Sequence, residues 1–235
     1  TDTNLAEQME AVGLTVVQCH SATDLETLED LLRLLGDALN CSERAEQLLA
    51  WYDETEAYLD SKASEIEALT EDEKPRVLLF QYTEELQVYA SGVNASIIEW
   101  TGGQNIELTG ASAETSTPSM EEILAFDPEI IFLSNWDDVT PEDLYNNQIS
   151  GQDWSSVSAV KNHWVYKVPC GLYRWTPPNT TEKPMFALWM ATVIQPEIFS
   201  EIDIRTEIKD FYRTFFNYDM TDETLDTVMR TEMNK

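Results

Sequence analysis

The segment 76–82, RVLLFQY, decides the fold class, because it is the first clear strand pattern in the chain. Pro75 precedes it and ends the helical pattern of the residues before, since proline cannot continue a helix. A second apolar run, EIIFLSN at 129–135, is typical of a parallel strand buried on both faces. From residue 75 onward, strand patterns of this kind alternate with helical patterns. The alternation predicts an α/β fold.

Turn and capping residues mark the starts of helices in this region. Ser119 and Glu122 have the spacing of a capping box, and Thr140 followed by Pro141 suits the first turn of a helix. The remaining predictions are strands at 86–90 and 164–169 and helices at 91–103, 184–194, 204–216 and 221–230. Together these elements predict a C-terminal α/β lobe over residues 75–235.

The first 74 residues have a different organisation. A helical pattern fills residues 42–69, and a helix of this length is ~42 Å long at ~1.5 Å per residue, longer than an ordinary domain helix. The residues before it predict a helix at 3–12, a buried strand at 14–18 and a helix at 23–39.

A single strand cannot form a sheet. The strand at 14–18 therefore either joins the later sheet or has its partners outside this chain, and the long helix favours the second interpretation. The predicted division is a remnant of an N-terminal lobe at 1–40, a long connecting helix at 41–74 and the C-terminal lobe at 75–235.

The charge and composition of the chain make several classes of partner and site unfavourable. The chain has 44 acidic and 14 basic residues, a formal net charge of −30, so nucleic acid is an unfavourable partner. No apolar run approaches the ~18 to 20 residues that span a bilayer, and the polar start TDTNLAEQ is not a signal peptide. The spacing of the cysteines and histidines predicts neither a disulfide framework nor a directly bound transition metal.

Enzyme motifs give little support for catalysis. The sequence contains no GxSxG, no phosphate-binding P-loop and no GxGxxG, and neither histidine lies near a plausible nucleophile. A hydrolase that uses two carboxylates stays open as an alternative, but no feature marks which two of the many acids would act. We therefore expect a binding protein rather than an enzyme.

Three segments in a fixed order carry a family resemblance. The chain resembles the substrate-binding proteins of ABC importers for iron–siderophore complexes, haem and cobalamin. The matching features are a helix that ends in a Gly-Gly-Asn-like turn, an acidic stretch that leads into a buried strand, and a Trp … Ala-Val-Lys-Asn … Val-Tyr segment. In this chain they are Gly102–Asn105, Glu122–Glu129, Trp154, Ala159–Asn162, Val165 and Tyr166. Each motif alone is weak, and the order and spacing, over most of residues 14–225, give the specificity.

The resemblance implies two Rossmann-like α/β lobes bridged by one long helix, with the ligand in the cleft between them. It implies an extracytoplasmic protein, periplasmic or a cell-surface lipoprotein, that delivers a chelated metal or a tetrapyrrole to an ABC permease. No cofactor is expected. Several strand–helix units normally precede a strand like 14–18 in this family, so we expect this chain to hold only part of the N-terminal lobe and to bind ligand poorly alone.

The stretch GLYRWTPPNTTEKP at 171–184 is the main candidate for ligand contact. By the resemblance it is a rim loop, in which Tyr173 and Trp175 cover flat parts of a chelate while Arg174 pairs with carboxylate or catecholate oxygens. The alternative is that Trp175 packs under its own turn and Arg174 pairs with a local acid. Tyr82 and Trp136 are further candidates, because each lies at the carboxyl end of a predicted strand.

Glu182 has a separate expected role. Family members place one surface glutamate on each lobe, where it meets an arginine of the membrane permease, and the resemblance carries this role to Glu182. A different hypothesis treats the chain as a shortened lobe that binds another protein or dimerises through its incomplete N-terminal part.

Overall fold

The central strand of the sheet is β1 (Arg76–Tyr82), the segment that predicted the fold class. The computed structural model describes residues 3–19, 25–108, 113–177 and 180–235. Within this part of the chain, the other strands are β2 (Gln87–Tyr89), β3 (Gln104–Asn105), β4 (Thr115–Ser116), β5 (Ile130–Leu133) and β6 (Val165–Lys167). They form one sheet in the order β4-β2-β1-β5-β6, and β3 pairs with the start of β1.

The sheet is mixed, with a parallel centre. β1, β5 and β6 run parallel, as predicted, and their carboxyl ends therefore meet at one edge of the sheet. β2 runs antiparallel to β1 because only four residues separate them, which is too few for a parallel crossover. The two-residue strands β3 and β4 were not predicted, since so short a segment has no detectable alternation.

Helices cover the sheet on both faces. The helices in the described part of the chain are α1 (Thr3–Ala11), α2 (Leu25–Ala38), α3 (Ser42–Ser61), α4 (Ala63–Glu67), α5 (Gly92–Trp100), α6 (Met120–Phe126), α7 (Pro141–Tyr145), α8 (Ser158–Lys161), α9 (Lys183–Ile194), α10 (Ile204–Phe216) and α11 (Asp222–Val228), and the sheet lies in the unit that contains α4 to α11. On one face Phe80 meets Trp154, with ring centroids 5.8 Å apart. On the other face Phe132 packs against Trp189 of α9 at 5.2 Å. The apolar strand at 129–135 is thus buried from both sides, as predicted.

The N-terminal part differs from the prediction. The chain divides into two compact units, Thr1–Trp51 and Tyr52–Lys235, and the division falls within α3. Residues 14–19 form no strand, and Leu14 and Val17 are 52% and 57% exposed, so the prediction of a buried strand at 14–18 is wrong. The described residues of this unit contain no other strand, so residues 14–18 have no strand with which to form backbone hydrogen bonds.

The long helical pattern at 42–69 is one helix followed by a short one. α3 ends at Ser61, and α4 begins after Lys62. The Ser61 hydroxyl donates a 2.6 Å hydrogen bond to the Tyr58 carbonyl, a back-bond of the kind that bends helices.

The capping box at the start of α6 is present as predicted. The Ser119 hydroxyl accepts from the Glu122 N–H at 3.2 Å, and the Ser119 N–H donates to the Glu122 carboxylate at 2.8 Å.

Ser119→Ala is expected to lower the free energy of unfolding by about 1 kcal/mol, because the cap hydroxyl is lost. Urea denaturation measures this cost. Ser119→Thr keeps the hydroxyl and should lose little, and equal costs for both variants would contradict the capping role.

Candidate functional site

The candidate site lies where the carboxyl ends of three parallel strands meet. Tyr82 is the last residue of β1, and Trp136 follows β5 by three positions. The chain that leaves β6 passes the same edge and continues into residues 171–177, which we call the arginine loop. In open α/β sheets ligands bind beyond this edge. The topology therefore brings together residues that are far apart in the sequence.

Four of the five predicted ligand residues form one contiguous stack. The Arg174 guanidinium carbon lies 4.6 Å from the Trp136 ring centroid and 5.4 Å from that of Tyr173. Trp136 in turn contacts Tyr82, with ring centroids 6.3 Å apart. We call these four residues the aromatic–arginine stack. The cation–π geometry fixes the guanidinium while leaving N–H groups for a ligand.

Asn135 connects the stack to the strands and to a second arginine. Its carbonyl accepts from Arg174 Nε at 2.6 Å, and its amide nitrogen donates to the Val168 carbonyl at 2.7 Å. Its Oδ1 lies 3.4 Å from Nη2 of Arg230, which donates to it. Arg230 was missed from the sequence, because it follows α11, 95 residues from Asn135, and no local motif marks it.

The electrostatics of the site are unusual for so acidic a chain. Although the protein has 44 acidic residues, neither Arg174 nor Arg230 forms a salt bridge within the described residues. Two guanidiniums thus donate to Asn135 without a carboxylate partner among the described residues. Arginine at such a site suits carboxylate, catecholate or oxyanion oxygens.

Trp175, the fifth predicted ligand residue, does not lie at the rim. Its side chain is 0% exposed, so the packing alternative describes it. The indole is large and apolar, and its burial under the loop removes much apolar surface from water. Pro178 and Asn179, which complete the predicted turn, lie outside the described residues.

Glu182 is also inside the protein, with 0% exposure. Its Oε1 accepts a hydrogen bond from the Tyr212 hydroxyl at an oxygen–oxygen distance of 2.6 Å. Its Oε2 accepts a second hydrogen bond from the Tyr173 N–H at a nitrogen–oxygen distance of 3.3 Å. Burial raises the pKa of Glu182, and the hydrogen bonds from the Tyr212 hydroxyl and the Tyr173 N–H partly offset this shift. A carboxylate without exposed surface cannot meet a permease arginine, so this placement corrects the expected role of Glu182.

Lys183 is the second buried charged residue beside the loop, at 2% exposure. Its Nζ donates to the Thr176 carbonyl at 2.8 Å, to the Trp175 carbonyl at 3.4 Å and to the Asn94 side-chain oxygen. Burial lowers the pKa of Lys183 to about 7, and the negative charge of Glu114 opposes that shift. Sequence reasoning assigned no role to Lys183, which lay in the stretch 171–184 directly before the helix predicted at 184–194.

No metal centre is formed by the protein itself in the part of the chain that the structure describes. No group of three or more histidine, cysteine, aspartate or glutamate side chains is placed to hold a metal ion. None of the helices described is both long and apolar enough to cross a bilayer.

A sequence profile described as "Periplasmic binding protein" matches residues 2–170. The matched region includes all six strands and the residues Tyr82, Asn135 and Trp136 at their carboxyl ends. The chain belongs to the periplasmic binding protein family. The arginine loop follows the end of the matched region, so the profile does not cover Arg174.

Two solved structures are similar to this chain. A periplasmic solute-binding protein from Veillonella parvula DSM 2008 is 37% identical with a TM-score of 0.90, over 99% of this chain and 69% of that one. The molybdate-bound MolA protein of Haemophilus influenzae has a TM-score of 0.71 at 18% identity, over 94% of this chain and 71% of that one, which shows a shared fold.

The sequence of the Haemophilus influenzae molybdate-binding protein MolA is 24% identical over 143 residues, which are 60% of this chain and 39% of MolA. This chain therefore aligns with less than half the length of that curated relative.

Proposed function

We propose that this chain is part of an extracytoplasmic solute-binding protein that delivers a chelated metal to an ABC importer. The chelate is of the ferric-siderophore, haem or cobalamin type. The protein binds and releases its cargo without chemical turnover. The observation that carries the proposal is the aromatic–arginine stack, which presents a guanidinium without a carboxylate partner at the carboxyl edge of the parallel strands.

The chemistry of the stack suits such a ligand. The rings of Tyr82 and Trp136 offer flat apolar surface to a macrocycle or a catechol. Arg174 can donate hydrogen bonds to a carboxylate or catecholate through Nη2, because its Nε donates to the Asn135 carbonyl and its Nη1 donates to the Tyr173 hydroxyl at 3.4 Å. Binding pockets of this class combine a mainly apolar lining with few polar anchors.

A compact oxyanion is the second candidate ligand. A relative of this chain is named for binding molybdate. Arg174 and Arg230 meet at Asn135 and would suit a small anion without any need for ring contact. The two candidates differ in their dependence on Trp136, which a chelate or macrocycle covers and a small oxyanion need not touch.

The test is a titration of tryptophan fluorescence with four probes: a ferric catecholate siderophore, haem, cyanocobalamin and molybdate. We expect Arg174→Ala to weaken binding of the active probe at least tenfold, about 1.4 kcal/mol, since a charge-assisted contact is lost. Arg174→Lys keeps the charge but loses the planar fork, so it should recover only part of the affinity.

Two further variants sharpen the result. Arg213→Ala removes an arginine of α10 that is paired with Asp210 and with Asp219 beyond the end of the helix, and this variant should bind the probe as the parent does. Trp136→Leu should strongly lower the affinity for a chelate or macrocycle but leave the affinity for molybdate nearly unchanged. If all four probes fail to quench the fluorescence, or if Arg174→Ala binds as tightly as the parent, the proposed function is wrong.

A further inference from the structure

The arginine loop is held against the protein by two consecutive buried residues of opposite charge. Glu182 and Lys183 stand at the start of α9, at 0% and 2% exposure. Neither forms a salt bridge within the described residues, with the other or with a third side chain. Aspartate, glutamate, lysine and arginine are almost never fully buried unless paired, so two adjacent cases need a physical reason.

Glu182 binds the first half of the arginine loop. Its carboxylate accepts from the Tyr173 N–H at 3.3 Å and from the Tyr212 hydroxyl at 2.6 Å. Gly171 lies so close to the same carboxylate that a side chain at position 171 would overlap it. The carboxylate therefore fills the space beneath the turn that presents Tyr173 and Arg174.

Lys183 binds the second half of the loop. Its ammonium donates to the carbonyls of Trp175 and Thr176, and the Asn94 side chain of α5 provides its third acceptor. All three partners of the ammonium are neutral. The two charged side chains thus hold the backbone on either side of Arg174, one through an N–H and the other through C=O groups.

An ordinary helix cap does not explain this arrangement. Glu182 is the residue that precedes α9, yet its side chain makes no capping hydrogen bond with the first turn of that helix. Its hydrogen bonds go to the loop and to Tyr212 of α10 instead. The carboxylate is therefore directed at the loop and not at the first turn of its own helix, where the Lys183 N–H donates to the Thr180 carbonyl and Pro184 has no N–H.

We propose that Glu182 and Lys183 are positioning residues for ligand capture: together they hold the arginine loop so that the Arg174 guanidinium stays between Trp136 and Tyr173. The inference rests on the proposed function, because it assigns these two residues to the same ligand site. Neither residue touches the ligand, and both act through Arg174. The site is thereby fixed before the ligand arrives, which lowers the ordering cost of binding.

The first experiment needs no ligand. Hydrogen exchange of the Tyr173 amide is compared in the parent chain, Glu182→Ala and Glu182→Gln. We expect exchange at least tenfold faster in Glu182→Ala and near the parent rate in Glu182→Gln, whose amide oxygen still accepts from the backbone. The control is Ile123→Ala, which removes core volume beneath α6, outside the loop. Unchanged exchange at Tyr173 in Glu182→Ala overturns the proposal.

The second experiment measures affinity for whichever of the four probes binds the parent chain. We expect Glu182→Ala and Lys183→Met each to weaken it about tenfold, and Ile123→Ala to leave it unchanged. In an Arg174→Ala background, Glu182→Ala should cause no further loss, because its effect passes through Arg174. Full additivity of the two substitutions overturns the positioning role.

The two experiments separate this inference from the proposed function. Binding by none of the probes contradicts the proposed function, while the exchange result at Tyr173 still decides whether Glu182 holds the loop. Probe binding that depends on Arg174 but not on Glu182 or Lys183 supports the proposed function and overturns the positioning role.

Discussion

Gly171→Ala is expected to destabilise the protein by about 3 kcal/mol, near the upper end of the cost of overpacking a buried site. A Cβ at this position would overlap the Glu182 carboxylate and the Tyr212 hydroxyl, which are hydrogen-bonded to each other. Both are ends of side chains, which elsewhere would move aside. Here Glu182 is fully buried and Tyr212 is 6% exposed, so neither has solvent to move into.

Denaturant unfolding of Gly171→Ala measures this cost, and a double-mutant cycle locates it. Tyr212→Phe removes the hydroxyl and should alone cost about 1 kcal/mol for the lost hydrogen bond. Combined with Gly171→Ala it opens space for the new methyl group, so the double variant should be more stable than the sum of the single effects predicts. A cost below about 1 kcal/mol for Gly171→Ala would contradict the close packing of the turn against Glu182.

Most of the C-terminal fold could be predicted because its elements carry strong local signals. RVLLFQY and EIIFLSN are apolar runs of strand length, and both form buried strands. The capping box at Ser119 fixed the start of α6. The two-residue strands could not be predicted, because their pairing depends on neighbours distant in the sequence. The strand expected at 14–18 was wrong for a related reason, since hydrophobicity alone provides no partner strand.

The candidate site could be predicted where it depends on strand ends. Tyr82 ends β1, Trp136 lies three positions after β5, and Arg174 lies seven positions after β6, so the topology was enough to bring them together. The orientation of neighbouring loop residues was not accessible, because Arg174 and Trp175 are adjacent and only the first stays at the surface edge. Arg230 and the burial of Glu182 and Lys183 depend on tertiary packing, which no local pattern reports.

The contribution of Lys183 to the free energy of unfolding is expected to rise with pH between about 7 and 10.5. Burial lowers the pKa of Lys183 from 10.5 to about 7 in the folded state, with Glu114 as the acid that opposes the shift. Between these two values the unfolded chain holds a proton at Lys183 that the folded chain has lost. The free energy of unfolding therefore increases with pH in this window, by at most about 1.4 kcal/mol per pH unit. Below about 7 both states are protonated, and this contribution no longer changes.

Lys183→Met isolates this effect, because the methionine fills similar volume but does not titrate. The free energy of unfolding of the parent minus that of the variant should rise by about 2 to 3 kcal/mol from pH 7 to 9, as one proton linked over two pH units requires. The many carboxylates and the buried tyrosines are present in both chains, so their titration cancels in the difference. Lys161→Met removes an exposed lysine and controls for the loss of one positive charge from an acidic protein. A flat difference for Lys183→Met would mean that Lys183 keeps its proton in the folded state. Its three neutral acceptors and the charge of Glu114 would then have to stabilise a buried ammonium that has no salt-bridge partner among the described residues.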